Sequence, residues 1–251
     1  MTDISRAEVF VVACAEAFRG DGEILASPFG TVPSIGARLA RLTFEPDLVL
    51  TDGEAALMAN TPSISGSEPV LREAPMPYRR VFDVVWSGRR HVMMMASQVD
   101  TFGNQNLSCI GDWHRPAVQL IGVRGAPGNS VNHTTSYWVP AHGPRVFVDG
   151  VDMVCGVGYD RLSSVPAAAR YHDVRVVVTN LGVFDFAAPG HRLRLRSVHP
   201  GVTGRDVQEA TGCALVVADD TPETRLPSSE ELEIIREVLD PERLRDSEVR
   251  E

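Results

Sequence analysis

The chain has 251 residues, 43% of them apolar, and 24 basic side chains against 33 acidic ones, for a formal net charge of -9. That length can bury a substantial core and by itself suggests one domain, 1–251, while the acidity excludes a nucleic-acid binder that displaces counterions with a basic stripe. No apolar run reaches membrane-spanning length, and MTDISRAEVF, with Asp3 and Glu8, lacks the regions of a secretory leader; a cytoplasmic location is the expectation.

Ser5 and Glu8 have the spacing of a capping box, and Val9, Val12 and Ala13 then recur on one helical face, which predicts an opening helix that ends by Gly20. GEILAS (22–27) leans to strand. Pro33 opens a second helix with Ile35, Leu39 and Leu42 on one side, closed by Pro46. DLVLTDGE (47–54) reads as a buried strand running into a polar turn, the place where open α/β sheets put ligands. Residues 60–80, rich in Pro and Ser and without a period, form a long connection. Strands are predicted at FDVVW (82–86), HVMMMAS (91–97), AVQLIG (117–122), RVFVD (145–149), VRVVVTN (174–180), VFDF (183–186), LRLRSV (193–198) and CALVVA (213–218), in a mostly parallel α/β sheet. Thr203 and Asp206 cap a helix through Ala210. A C-terminal helix over about 229–239 starts at the Ser228/Glu231 box. It carries a Leu232, Ile235, Leu239 stripe that docks on its own domain, and the charged tail 242–251 frays.

Two stretches concentrate turn-forming and hydrogen-bonding residues. SQVDTFGNQN (97–106) packs Gln98, Asp100, Gly103, Asn104 and Asn106 into ten positions, where structural hydrogen bonding is the favoured reading. IGVRGAPGNSVN (121–132) spaces Gly122, Gly125 and Gly128 after a strand, so its amides can approach an oxyanion or phosphate, or the loop serves structure alone. It matches neither dinucleotide fingerprint nor P-loop. Asp52 and Glu54 flank Gly53 at a strand end, where a carboxylate can act as base or nucleophile or stay solvated. His114, His133, His142, His172 and His199 lack metal-ligand spacing, and Cys14, Cys109, Cys155 and Cys213 form no C-x-x-C pair, so no metal is expected.

The run SQVDTFGNQNLSCIGDWHRPAVQLIGVRGAPGN (97–129) resembles the β subunits of class I CoA transferases, in particular of the glutaconate enzyme. The likeness continues through TNLGVFDF, LRLRSVHPGVT, EATGCAL and PSSEELEIIREVLDP, and so covers nearly the whole chain. It implies an open CoA-transferase-like sheet with helices on both faces, broadly shared with sugar-phosphate isomerases. It also implies a CoA-transferase-like α subunit as partner in an α2β2 assembly and an acyl-CoA substrate, with no permanently bound cofactor.

Counted from Pro46-Asp47, the family's nucleophilic glutamate falls on Gly53, one residue before Glu54, and a one-residue offset at a strand end reverses the face of the side chain. TDGEAALMAN and VRGAPGNSVNHT are more similar to a branch of β subunits in actinobacterial steroid ring-cleaving CoA-thioester hydrolases. There the reaction opens a carbon ring of a remnant of steroid rings C and D, and a glutamate of the α subunit is catalytic. On that likeness the backbone around Arg124, Gly125 and Ala126 faces the thioester or an oxyanion, while Glu54, Gln98 and Asn104 line the pocket or hold its loops. The alternatives are CoA transfer with Glu54 as nucleophile and a non-catalytic scaffold for the α subunit.

Overall fold

The computed structural model describes residues 3–53 and 55–249, except the side chain of Ser163; Glu54 lies outside the described residues. They pack as two compact units. One runs to Met94 and resumes at Arg225, and the other is Met95–Thr224.

In the first unit, helix α1 (Arg6–Glu16) begins at the predicted box, where the Ser5 hydroxyl accepts from the Glu8 amide and the Glu8 carboxylate accepts from the Ser5 amide. Strand β1 (Leu25–Pro28) leads to α2 (Thr31–Thr43), whose Ile35 and Leu39 are fully buried, while Leu42 emerges 43% exposed. The two helices cross at Gly36, where a Cβ would lie 2.9 Å from Cys14 Cβ and 3.0 Å from the Val11 carbonyl. A glycine-to-alanine change inside a helix normally gains about 1 kcal/mol. Here the collision reverses the sign, and Gly36→Ala should destabilise by about 1–3 kcal/mol in thermal melting; a stabilised variant would refute the close crossing.

The predicted strand over 47–54 divides. Val49 bridges Leu25 in parallel, whereas β2 (Leu50–Thr51) turns back to pair with β3 (Ala56–Met58). The long connection holds β4 (Arg72–Pro75), antiparallel to β3. FDVVW is not a strand but lies in helix α3 (Arg80–Ser87). Its β-branched composition yields to spacing, since Val81, Val84 and Val85 fall on the less exposed side and Gly88 supplies a left-handed cap. Strand β5 (Arg90–Met95) then pairs in parallel with β1.

The second unit opens with two hairpins, β6 (Gln98–Val99) with β7 (Gln105–Asn106) and β8 (Cys109–Ile110) with β9 (Val118–Gln119). The strand predicted at 117–122 thus shrinks to β9. Part of the expected glycine loop is helix α4 (Ala126–Asn132), and TTSYWV, not anticipated, is β10 (Thr134–Val139), with Tyr137 and Trp138 fully buried. After a 3-10 turn and the short α5 (Pro166–Ala169), β11 (Asp173–Thr179) lies parallel to β10, and β12 (Gly182–Asp185) and β13 (Arg194–Val198) add antiparallel strands. The strands expected at RVFVD and CALVVA reduce to single bridges, Phe147 with Val99 and Val216 with Arg194. Short apolar runs have no period to separate a strand from a buried loop. Helix α6 (Gly204–Ala210) starts at the predicted Thr203/Asp206 box.

Back in the first unit, α7 (Ser229–Glu233) starts at the Ser228/Glu231 box and continues as π-helical turns over Ile234–Leu239. Its predicted stripe is buried on its own unit, where the Leu239 carbonyl accepts from the Ile64 amide and the Ser63 hydroxyl, both at 3.0 Å. The tail is not frayed over its described residues. Leu244–Ser247 forms a 3-10 turn that Arg245, 3% exposed, ties to Asp240.

Candidate functional site

Both motif-rich stretches lie in the second unit. The Asp100 carboxylate closes the turn of the first hairpin, its Oδ1 accepting from the Phe102 and Asn104 amides at 3.0 Å and its Oδ2 from Asn104 Nδ2 at 2.9 Å. Burial raises the Asp100 pKa and outweighs those hydrogen bonds. Asn104, fully buried, also donates to Asp160 Oδ1 at 2.8 Å and accepts from the Gly158 amide at 2.8 Å. Gln98, 5% exposed, donates to Asp152 Oδ2 at 3.0 Å and accepts from the Asp152 amide at 3.0 Å and from Asn106 Nδ2 at 2.7 Å. Both amides are therefore engaged with protein partners, and of the two roles expected for them the geometry is that of holding loops.

The second stretch leaves β9 and reverses sharply. Gly122 (φ 89°) and Arg124 (φ 47°) are both left-handed, and the chain enters α4 from Gly125. The Gly122 amide donates to the Leu107 carbonyl at 3.1 Å, which hangs the loop from the turn that follows β7, and the Ala126 amide donates to the Val123 carbonyl at 3.0 Å. Ala126, 2% exposed, is thus an anchor and its amide is already engaged. The adjacent amides of Arg124 and Gly125 make no hydrogen bond to any of the described residues, and the Arg124 side chain is exposed. Two neighbouring donors beside a cation suit a developing oxyanion.

Gln98 and Asn104 thus brace the β6–β7 hairpin, Arg124, Gly125 and Ala126 lie on the loop that hangs beyond it through Gly122 and Leu107, and Glu54 is outside the described residues. Asp152 and Asp160, which accept from Gln98 and Asn104, were not singled out in the sequence because no motif marks them. The histidines play other parts. His142 stacks 4.1 Å from Phe147 and bonds Thr179 and Thr211, and burial lowers its pKa to about 3. His199 bonds the Thr179 carbonyl at 2.8 Å. Among the described residues no three His, Cys, Asp or Glu side chains group as a metal site.

No family model matches the chain. A protein of Rhodococcus jostii named as a cholesterol ring-cleaving hydrolase IpdB subunit is 55% identical over 249 residues, covering 99% of this chain and 98% of the relative. The chain belongs to the IpdB family of cholesterol ring-cleaving hydrolase subunits. The crystal structure of Rhodococcus jostii IpdAB superposes with a TM-score of 0.96 at 54% identity, covering 100% of both chains. A 3-oxoadipate CoA-transferase polypeptide of Pseudomonas knackmussii is 30% identical over 250 residues, 94% of each chain. The IpdB family therefore shares the CoA-transferase α/β fold, as the motif blocks implied, and the IpdB-like chain carries no described helix long and apolar enough to cross a membrane.

Proposed function

We propose that this chain is the β subunit of a heteromeric hydrolase that opens a carbon ring of a steroid-derived acyl-CoA, the acid being a remnant of rings C and D. The observation that carries the reading is the end-to-end 55% identity to a named cholesterol ring-cleaving hydrolase subunit, joined to the 0.96 superposition on a structure of the IpdAB pair. The partner is a CoA-transferase-like α subunit, in an α2β2 assembly, and its glutamate activates water.

The chemistry is a retro-Claisen cleavage. Water adds to a ring ketone, the bond from that carbon to the carbon beside the thioester breaks, and the electron pair passes into a thioester enolate. A proton then returns to carbon, giving a carboxylate and an acyl-CoA with no net oxidation. The amides of Arg124 and Gly125, with the Arg124 guanidinium, stabilise the enolate oxygen. Gln98 and Ala126 hold that loop, and Asn104 holds the β6–β7 turn through Asp100, Asp160 and Gly158. Coenzyme A enters as part of the substrate, with no permanently bound cofactor and no metal. The free thiols of Cys14, Cys109, Cys155 and Cys213 suit a reducing cytoplasm.

A second reading, CoA transfer through Glu54, is favoured by the relationship to the 3-oxoadipate CoA transferase. Mass spectrometry of the co-expressed αβ complex with ring C/D steroid acyl-CoA thioesters separates the two. Gain of one water with no acyl acceptor present is the expected result. Strict dependence on an acceptor carboxylate, with a borohydride-trappable glutamyl thioester at Glu54, would replace hydrolysis by transfer.

A further inference from the structure

We infer that Asn106 is the positioning residue for the Arg124–Gly125 donors, acting through the turn that follows β7; this rests on the reading of that loop as the enolate-binding loop. Asn106 is fully buried and uses its whole amide. Its Nδ2 donates to Gln98 Oε1 and to the Cys109 carbonyl, both at 2.7 Å. Its Oδ1 accepts from the Ser108 amide at 2.9 Å and the Cys155 thiol at 3.6 Å. The side chain therefore fixes both ends of the Asn106–Cys109 turn.

The two carbonyls inside that turn receive the next segment. Ser108 accepts from the Leu120 amide at 2.9 Å and from Gln119 Nε2 at 3.0 Å, and Leu107 accepts from the Gly122 amide at 3.1 Å. Gly122 is two residues before Arg124, and both are left-handed, so the direction of the Arg124 and Gly125 amides depends on where the Leu107 carbonyl holds Gly122. Asn104, in the same hairpin, closes a different circuit through Asp160 and Gly158. Asn106 is thus the buried amide whose bonds lead to the loop, although it need not touch substrate.

Asn106→Asp keeps the shape but removes both Nδ2 donors and, when ionised, opposes two oxygens. A neutral aspartic acid restores one donor, so the variant should recover as pH falls while wild type does not. In the αβ complex, assayed with a ring C/D steroid acyl-CoA bearing a β-ketone, kcat should fall roughly 10- to 100-fold with KM within about threefold, since the affected donors act in the transition state. Wild-type kcat in the assembled variant overturns the inference, as does an equal loss in KM without acid recovery. If Asn106→Asp does not assemble, Gln98→Ala, which takes away one of its partners, is read by the same kcat and by hydrogen exchange of the 120–126 peptide. Lower kcat with faster exchange supports the inference, and wild-type values in both overturn it. Should the wild-type complex itself take up no water, the proposed function fails rather than the role of Asn106.

Discussion

Replacing Arg245 with methionine should cost about 3–5 kcal/mol, the usual penalty for leaving one half of a buried ion pair without its partner. Arg245 donates through Nη1 to Asp240 Oδ2 at 2.8 Å and to the Asp240 carbonyl at 3.0 Å, and through Nη2 to Glu8 Oε1 at 3.2 Å. Asp240 is fully buried and Glu8 is 1% exposed, so neither carboxylate can turn to water. Arg236 completes the cluster, reaching Glu8 Oε1 at 2.6 Å and the Asp3 carbonyl at 2.7 Å. Thermal melting of the αβ complex should fall by roughly 10 °C. The double change Asp240→Asn with Arg245→Met, which removes the stranded charge, should recover most of the loss. Melting at the wild-type temperature in the single variant would mean that the tail contributes nothing. The same cluster sets an acid limit. Burial raises the Glu8 pKa, but the Arg236 hydrogen bond, the Ser5 amide and the charges of Arg236 and Arg245 more than reverse this and hold it below the ordinary 4.5. Its stabilisation is accordingly complete above about pH 4.5 and is lost as pH falls through the lowered value.

That tail shows where sequence reading stops. A run such as RLRDSEVRE looks solvated because its partners, the Glu8 carboxylate for Arg245 and the Val32 amide for Glu248, are far away in the chain. Helix starts were legible because a capping box is local: Ser5/Glu8, Thr203/Asp206 and Ser228/Glu231 each form as their spacing predicts. Strands were less so. VRVVVTN and LRLRSV find partners, whereas CALVVA, more apolar than either, meets β13 at one position, and FDVVW is helical. Strand identity depends on a neighbour that composition does not name. TTSYWV carried the β-branched and aromatic signal of a strand and was overshadowed by the glycine-rich segment before it.

The same limit applies to the site. The blocks over 97–129 were specific enough to identify the family, and the spaced glycines marked the loop. The bonds that decide what Gln98 and Asn104 do run to Asp152 and Asp160, 54 and 56 residues away. Local chemistry favoured a structural role for these amides, and their geometry has that character. The likeness to a family had extended the reading to a pocket lining.

Arg124 is where stability and activity should part. A non-glycine residue at φ 47° costs about 1–2 kcal/mol relative to its ordinary backbone states. Arg124→Gly removes that strain but gives the unfolded chain more freedom, about 1 kcal/mol in the opposite direction, so the variant should melt close to wild type. Arg124→Ala keeps the strain, loses the same guanidinium, and should be no more stable than wild type. On the proposed role of Arg124, both should lose roughly 100-fold in kcat for ring opening, the scale associated with one oxyanion donor, since both lack the guanidinium. Lysine at this position keeps the charge on a rounder, more hydrated head and should recover only part of the rate. The assay is kcat in the αβ complex beside the melting temperature of each variant. Full activity in Arg124→Gly would reduce the loop to a backbone device, and the enolate charge would then need a counterion from the α partner.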